Sequence, residues 1–284
     1  MSTLFPPFDP DEAPHRARFR QLPKIPIRLI LPNLVTLLAL CAGLTSIRMA
    51  TEGAYIYAVS AILFAGLLDG VDGRLARFLK STSRFGAQMD SLADFVNFGV
   101  APAVLLYAWT LNGAGSLGWM ACLVYAVCAA LRLARFNAAL DGPAKPDWQA
   151  DYFVGVPAPA GAGTVLLPLY LEFLGLPHNL TTTPITFLYT IAIGLLMISR
   201  LPTWSGKMVG KKIPRDMVLP IFVLVVLGVA FLVSFPWQVM SLATVAYLAC
   251  IPLSRKAWLR RKEEEAAKPP PVLLPGAAAE GAKR

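Results

Sequence analysis

Long apolar runs broken by short polar connections fill most of this chain. Eight of them, near 33–50, 54–79, 86–111, 117–138, 154–173, 184–201, 217–234 and 237–254, approach the length that crosses about 30 Å of hydrocarbon as a helix. The pattern predicts an all-α integral membrane protein of about eight transmembrane helices. Ahead of the first run, IPIRLILPN reads as a short interfacial helix lying along the membrane surface. The second and third runs are longer than a bilayer requires, so their shared end should project beyond the hydrocarbon. The rest divides into a Pro-rich, charged N-terminal tail over 1–26, a membrane domain over 27–256, and a C-terminal tail over 257–284. That last stretch is rich in Pro, Ala, Gly and mixed charge, and should be disordered.

Composition sharpens this. Of 284 residues 56% are hydrophobic and 15% charged, against about 25% charged in soluble domains. The net charge of +9 raises the question of nucleic acid, and the position of the charges answers it. With the N-terminus inside, Arg48, at the outer end of the first run, is the only one of the 26 lysines and arginines on the outer side, and the outer connections (51–53, 112–116, 172–183, 235–236) carry none. That asymmetry puts both termini, the segment 69–94, Arg132, Arg135 and the basic loop 207–215 on the cytoplasmic side. The basic charge belongs to the membrane face, and no nucleic acid partner is called for. The four cysteines all lie inside apolar runs without metal-ligand spacing, which predicts small buried side chains and neither disulfide nor redox chemistry. His15 and His178 sit in separate predicted loops and suggest no chemistry.

The segment 69–94, DGVDGRLARFLKSTSRFGAQMDSLAD, stands apart. Read as two helices joined by a turn near residues 80–84, it puts Asp69, Asp72, Gly73, Ala76 and Arg77 on one face of the first. Gly86, Asp90 and Asp94 share a face of the second. Antiparallel packing would gather four carboxylates, one arginine and two glycines into one pocket. Each acid costs roughly 2.5–3.5 kcal/mol at membrane depth, and four together repel, so solvated helix-end charge is a poor explanation. Hard divalent cations with oxygen ligands, Mg²⁺ or Mn²⁺, would compensate. Two such ions sharing carboxylates suit displacement at phosphorus.

These residues carry a resemblance. Asp69-x-x-Asp72-Gly73-x-x-Ala76-Arg77, then eight residues, then Gly86-x-x-x-Asp90-x-x-x-Asp94, is similar without gap or substitution to the signature of the CDP-alcohol phosphotransferase family. Together with PNLVT, DSLADFVNFGVAPA, LRLARFN and GVPAPA, over about 28 to 215, the chain resembles the bacterial branch of that family that uses serine as acceptor. The segment SRLPTWSGK departs from that branch.

The resemblance implies an integral enzyme of the bacterial inner membrane that moves a phosphatidyl group from CDP-diacylglycerol to L-serine, releasing CMP. Its site would face the cytoplasm. Mg²⁺ or Mn²⁺, as two ions, would lie on Asp69, Asp72, Asp90 and Asp94, with Asp94 also the catalytic base. Asn33, Thr36, Gly73, Ala76, Arg77 and Gly86 would bind the nucleotide. Family members dimerise, which implies a homodimer among membrane phospholipids. Asn33 has an ordinary alternative as the cap of the first helix.

Arg132, Arg135 and Asn137 end the fourth run, the two arginines on one face, and suggest recognition of the serine carboxylate or a lipid phosphate. Snorkelling charges are the alternative. Residues 155–161, GVPAPAG, suggest close helix packing. Other acceptors compete with serine: glycerol 3-phosphate and inositol phosphate would need further basic residues, and choline an aromatic cage. A divalent-cation transporter would need acids on several spans at mid-membrane depth, and the acids here cluster on two.

Overall fold

The computed structural model describes residues 27–79, 83–140, 152–204 and 217–266. The basic loop 207–215, residues 80–82 of the turn inside the motif, His15 and the tail beyond 266 lie outside the described residues. The described chain is nearly all helical. Its helices are α1 (Ile27–Thr51), α2 (Tyr55–Phe78), α3 (Arg84–Asp94), α4 (Ala101–Trp109), α5 (Ser116–Leu140), α6 (Ala158–Val165), α7 (Leu167–Phe173), α8 (Thr182–Ile198), α9 (Val218–Ser234) and α10 (Pro236–Ala266).

Among the described residues five stretches are long and apolar enough to cross a membrane: Ile30–Thr51, Tyr55–Phe78, Phe85–Trp109, Ser116–Ala139 and Pro236–Glu265. The helices α8 and α9, at 17 residues each, span about 26 Å. Among the described residues, 27–32, expected in the interfacial helix, form the first turns of α1, with Pro32 inside it. Asn33 therefore sits six residues into α1 and is not its cap. At the other end α10 stays helical to Ala266, past the boundary expected at 256.

Two of the expected single helices are broken, and the same device mends both. Pro102 has no N–H, so the carbonyl of Phe98, four residues earlier, loses its helical donor. The backbone widens into a π-helical turn over Phe95–Val100, and the Tyr125 hydroxyl donates to the Phe98 carbonyl at 2.9 Å. Pro168 likewise orphans the Thr164 carbonyl, the chain steps from α6 to α7, and the Tyr189 hydroxyl donates to Thr164 O at 2.7 Å. A buried backbone carbonyl must find a donor where water is absent, and a tyrosine on a neighbouring helix provides it each time.

The core lies where α1, α2, α4, α5, α6, α7 and α8 meet, with Ile62, Phe98, Leu105, Leu106, Tyr125, Leu166, Leu169, Tyr170, Ile193 and Met197 fully buried. The closest pairings are α1 with α2 and α5 with α8. In the second, Gly194 brings α8 against the backbone at Tyr125. By contrast α9 buries none of its residues, so its apolar surface faces outward all round.

The only strands among the described residues form a short ribbon. The strand β1 (Tyr152–Val154) pairs antiparallel with β2 (Pro202–Trp204), Phe153 opposite Thr203. Gly155 leaves β1 at φ +78°, and a side chain there would overlap the Met197 carbonyl. Arg135 ties the ribbon to α8: Nη1 donates to Ile198 O (2.8 Å), and Nη2 to Ser199 O (3.1 Å) and Val154 O (3.2 Å).

Candidate active site

The motif occupies the facing ends of α2 and α3. Ser83 starts α3 as its cap, its hydroxyl accepting from Gly86 N at 3.0 Å. One ligand oxygen from each of Asp69, Asp72 and Asp90 lies within 4.8 Å of the others. Oxygens bound at about 2.1 Å to one octahedral cation stand about 3.0 or 4.2 Å apart, so the side chains would draw together to seat an ion. Asp94, one turn beyond Asp90, is in side-chain hydrogen-bond contact with Asp69. Among the described residues none of the four carboxylates has a lysine, arginine or histidine within salt-bridge distance. Hard oxygen donors this close, with none in an ion pair among the described residues, fit a divalent cation of the Mg²⁺ or Mn²⁺ type.

Beside the acids is a cavity of about 190 Å³ lined by Pro32, Asn33, Thr36, Asp72, Gly73, Ala76, Ser83, Gly86, Ala87 and Asp90. Five of the six residues expected to bind a nucleotide line it: Asn33, Thr36, Gly73, Ala76 and Gly86. The hydroxyl of Thr36 donates to Asp72 Oδ2 at 2.7 Å, fixing a carboxylate that is only 4% exposed. Nothing lies within 4 Å of where a side chain at Gly73 would project, so that face stays open to a ligand. Gly86 faces Asn33, whose Oδ1 would lie 2.9 Å from an added Cβ. Arg77, the sixth, is not in this lining; its Nε bonds back to Gly73 O at 3.0 Å.

The three residues at the end of α5 divide. Arg135 spends its guanidinium on the carbonyls described above, which accounts for it as a structural staple. Asn137 Nδ2 donates to Ser91 Oγ at 2.8 Å and anchors α3 beside Asp90. Arg132 differs. It is 8% exposed, its Nε has no hydrogen-bond partner, and its charged neighbours are Asp94 and Arg135, with Tyr247 alongside.

Sequence reasoning passed over two groups. Tyr247 was hidden in α10, a helix that reads as merely apolar. Its neighbours Thr244, Ile251 and Ser254 are buried at spacings of three and four, and that periodicity was the available signal. At the opposite end of the bundle, His178 Nδ1 meets Glu172 Oε2 at 2.9 Å and its Nε2 meets Thr110 Oγ1 at 3.2 Å. Trp109 Nε1 donates to the same Glu172 oxygen at 2.9 Å.

A helical membrane protein with a carboxylate cluster and a polar cavity at one end of its bundle has the construction of an enzyme acting at a bilayer surface. The sequence model of the CDP-alcohol phosphatidyltransferases matches residues 29–254, and the chain belongs to that family. It is 43% identical over 234 residues to the CDP-diacylglycerol–serine O-phosphatidyltransferase of Mycobacterium leprae, covering 81% of this chain and 76% of that one. The enzyme of the same name from Helicobacter pylori (strain 26695) is 32% identical over 223 residues, covering 77% and 88%. The archaetidylserine synthase of Methanothermobacter thermautotrophicus is 35% identical over 184 residues, covering 62% and 70%.

Proposed function

We propose that this protein transfers the phosphatidyl group of CDP-diacylglycerol to L-serine, giving phosphatidylserine and CMP. The observation that carries it is the convergence of Asp69, Asp72 and Asp90 beside a cavity lined by the motif glycines, in a chain 43% identical to a serine transferase.

Asp69, Asp72, Asp90 and Asp94 would hold two divalent cations, Mg²⁺ or Mn²⁺. When bound, these supply neutralisation of the pyrophosphate and of the departing CMP. The protein's own groups do the rest. Asn33, Thr36, Gly73, Ala76 and Gly86 seat the nucleotide, and Thr36 holds Asp72 in place. Arg77 would unfold from its own helix to meet phosphate. Asp94 takes the proton from the serine hydroxyl as that oxygen bonds to the phosphorus carrying diacylglycerol. The bond from that phosphorus to the bridging oxygen breaks, and CMP leaves with the electron pair. Arg132 pairs with the serine carboxylate or the lipid phosphate. Positioning carries much of the effect, because an aspartate is a weak base.

The proposed setting is a bacterial inner membrane crossed eight times, with termini and site cytoplasmic and the protein a homodimer. Acyl chains then stay in the bilayer while nucleotide and serine arrive from water. The test is CMP release by purified protein in detergent–lipid micelles with CDP-diacylglycerol and Mn²⁺ or Mg²⁺. Serine, glycerol 3-phosphate, inositol phosphate and choline are offered separately. Release with serine, lost in Asp94→Asn, supports the proposal. Release only with another acceptor overturns the choice of serine, and no release with any acceptor overturns the chemistry.

A further inference from the structure

Arg132 is a buried guanidinium without a complete set of partners, a costly arrangement unless an anion visits it. Its position narrows the choice of anion. The cavity assigned to the nucleotide is lined from α1, α2, the start of α3 and Asp90; neither Asp94 nor Arg132 is in that lining. Arg132 neighbours Asp94, which lies one helical turn beyond Asp90 along α3. Arg132 therefore belongs with the proposed base, outside the cavity lining, and the attacking alcohol has to reach that base. No ion pair within 4.0 Å joins Arg132 to Asp94 among the described residues, so the guanidinium is not spent on that carboxylate.

A further polar group beside Arg132 comes from α10. The Tyr247 hydroxyl is buried without a well-formed hydrogen bond, and its polar neighbours are Arg132 and Thr203 of β2. Thr203 is engaged elsewhere, its hydroxyl donating to Gly155 O at 2.9 Å, and no hydrogen bond joins it to Tyr247. Because Arg135 pins the ribbon to α8, Thr203 and Tyr247 keep this relation. A buried guanidinium with an unpartnered Nε and a neighbouring buried phenol O–H without a hydrogen bond match a carboxylate.

Resting on the serine transfer proposed above, we infer that Arg132 and Tyr247 form the subsite for the acceptor's carboxylate. Tyr247, from the last helix, is a specificity-determining residue. An amino acid held there by its carboxylate presents its hydroxyl to Asp94. The same alcohol lacking a carboxylate leaves two buried donors unpaired and is rejected.

The test compares serine with serinol, which keeps the amine and hydroxyls but replaces the carboxylate by CH₂OH. CMP release is followed with full-length protein and CDP-diacylglycerol. The wild-type protein prefers serine. Tyr247→Phe should raise KM for serine about tenfold, leave KM for CDP-diacylglycerol in place, and narrow the serine-to-serinol preference by the same factor. Arg132→Lys should narrow it further, since an ammonium cannot reproduce the fork. Tyr189→Phe, which removes only the bond to the Thr164 carbonyl, should not change the preference. The inference is overturned if both acceptors lose equally in Tyr247→Phe and Arg132→Lys, or if KM for CDP-diacylglycerol rises instead. Failure of the wild-type protein to use any acceptor would instead overturn the transferase reading, and this inference with it.

Discussion

The two ends of the bundle handle buried polarity in opposite ways. At one end Glu172, His178, Trp109 and Thr110 use up one another's hydrogen-bonding capacity, and that end looks complete. At the other, three carboxylates stand within 4.8 Å with no lysine, arginine or histidine in ion-pair contact among the described residues, and Arg132 lies close by with an unpartnered Nε. Acid and base are both present there and do not close on each other. A folded chain gains stability by pairing such groups, so a site that keeps them apart is holding places for something else. The difference separates a structural clasp from a reaction centre more clearly than residue types do, since both ends contain acids.

The comparison can be broken by mutation. Asp90→Asn should cost the largest effect, about a thousandfold in CMP release, with circular dichroism unchanged. An equally active variant would mean that the cluster is idle. Gly155→Ala, forced to φ +78° against the Met197 carbonyl, should destabilise the ribbon by about 2 kcal/mol, read as a lower melting temperature. Thr36→Val frees the Asp72 carboxylate and should reduce turnover about tenfold while leaving thermal stability close to wild type. At the clasp, Glu172→Gln should lower stability by only about 0.5–1 kcal/mol, given the partial exposure of the pair, and leave turnover within about twofold. A large loss of turnover there would erase the distinction between the ends.

Much of the site was legible because its chemistry is local. The i, i+3, i+4 spacing of Asp69, Asp72 and Gly73 and the i, i+4 spacing of Gly86, Asp90 and Asp94 fix which residues share a face before any packing is known. Asn33 and Thr36 join them because α1 lies against both helices. Contacts between distant segments were not legible. Arginines at i, i+3 look equivalent in sequence; only the arrival of β1 and the end of α8 turns Arg135 to carbonyls and leaves Arg132 to the site. Tyr247 required knowing which face of α10 meets β2. The helix breaks at Pro102 and Pro168 were marked by the prolines, yet the tyrosines that satisfy the freed carbonyls lie 27 and 25 residues from them.

The most direct measurement is Mn²⁺ binding by the purified full-length protein, following free Mn²⁺ by electron paramagnetic resonance during titration. Saturable binding in the wild-type protein and in Glu172→Gln, lost in Asp72→Asn with Asp90→Asn, is the predicted result. Equal binding by all three proteins, or none by the wild type, would contradict a metal-dependent centre on these carboxylates.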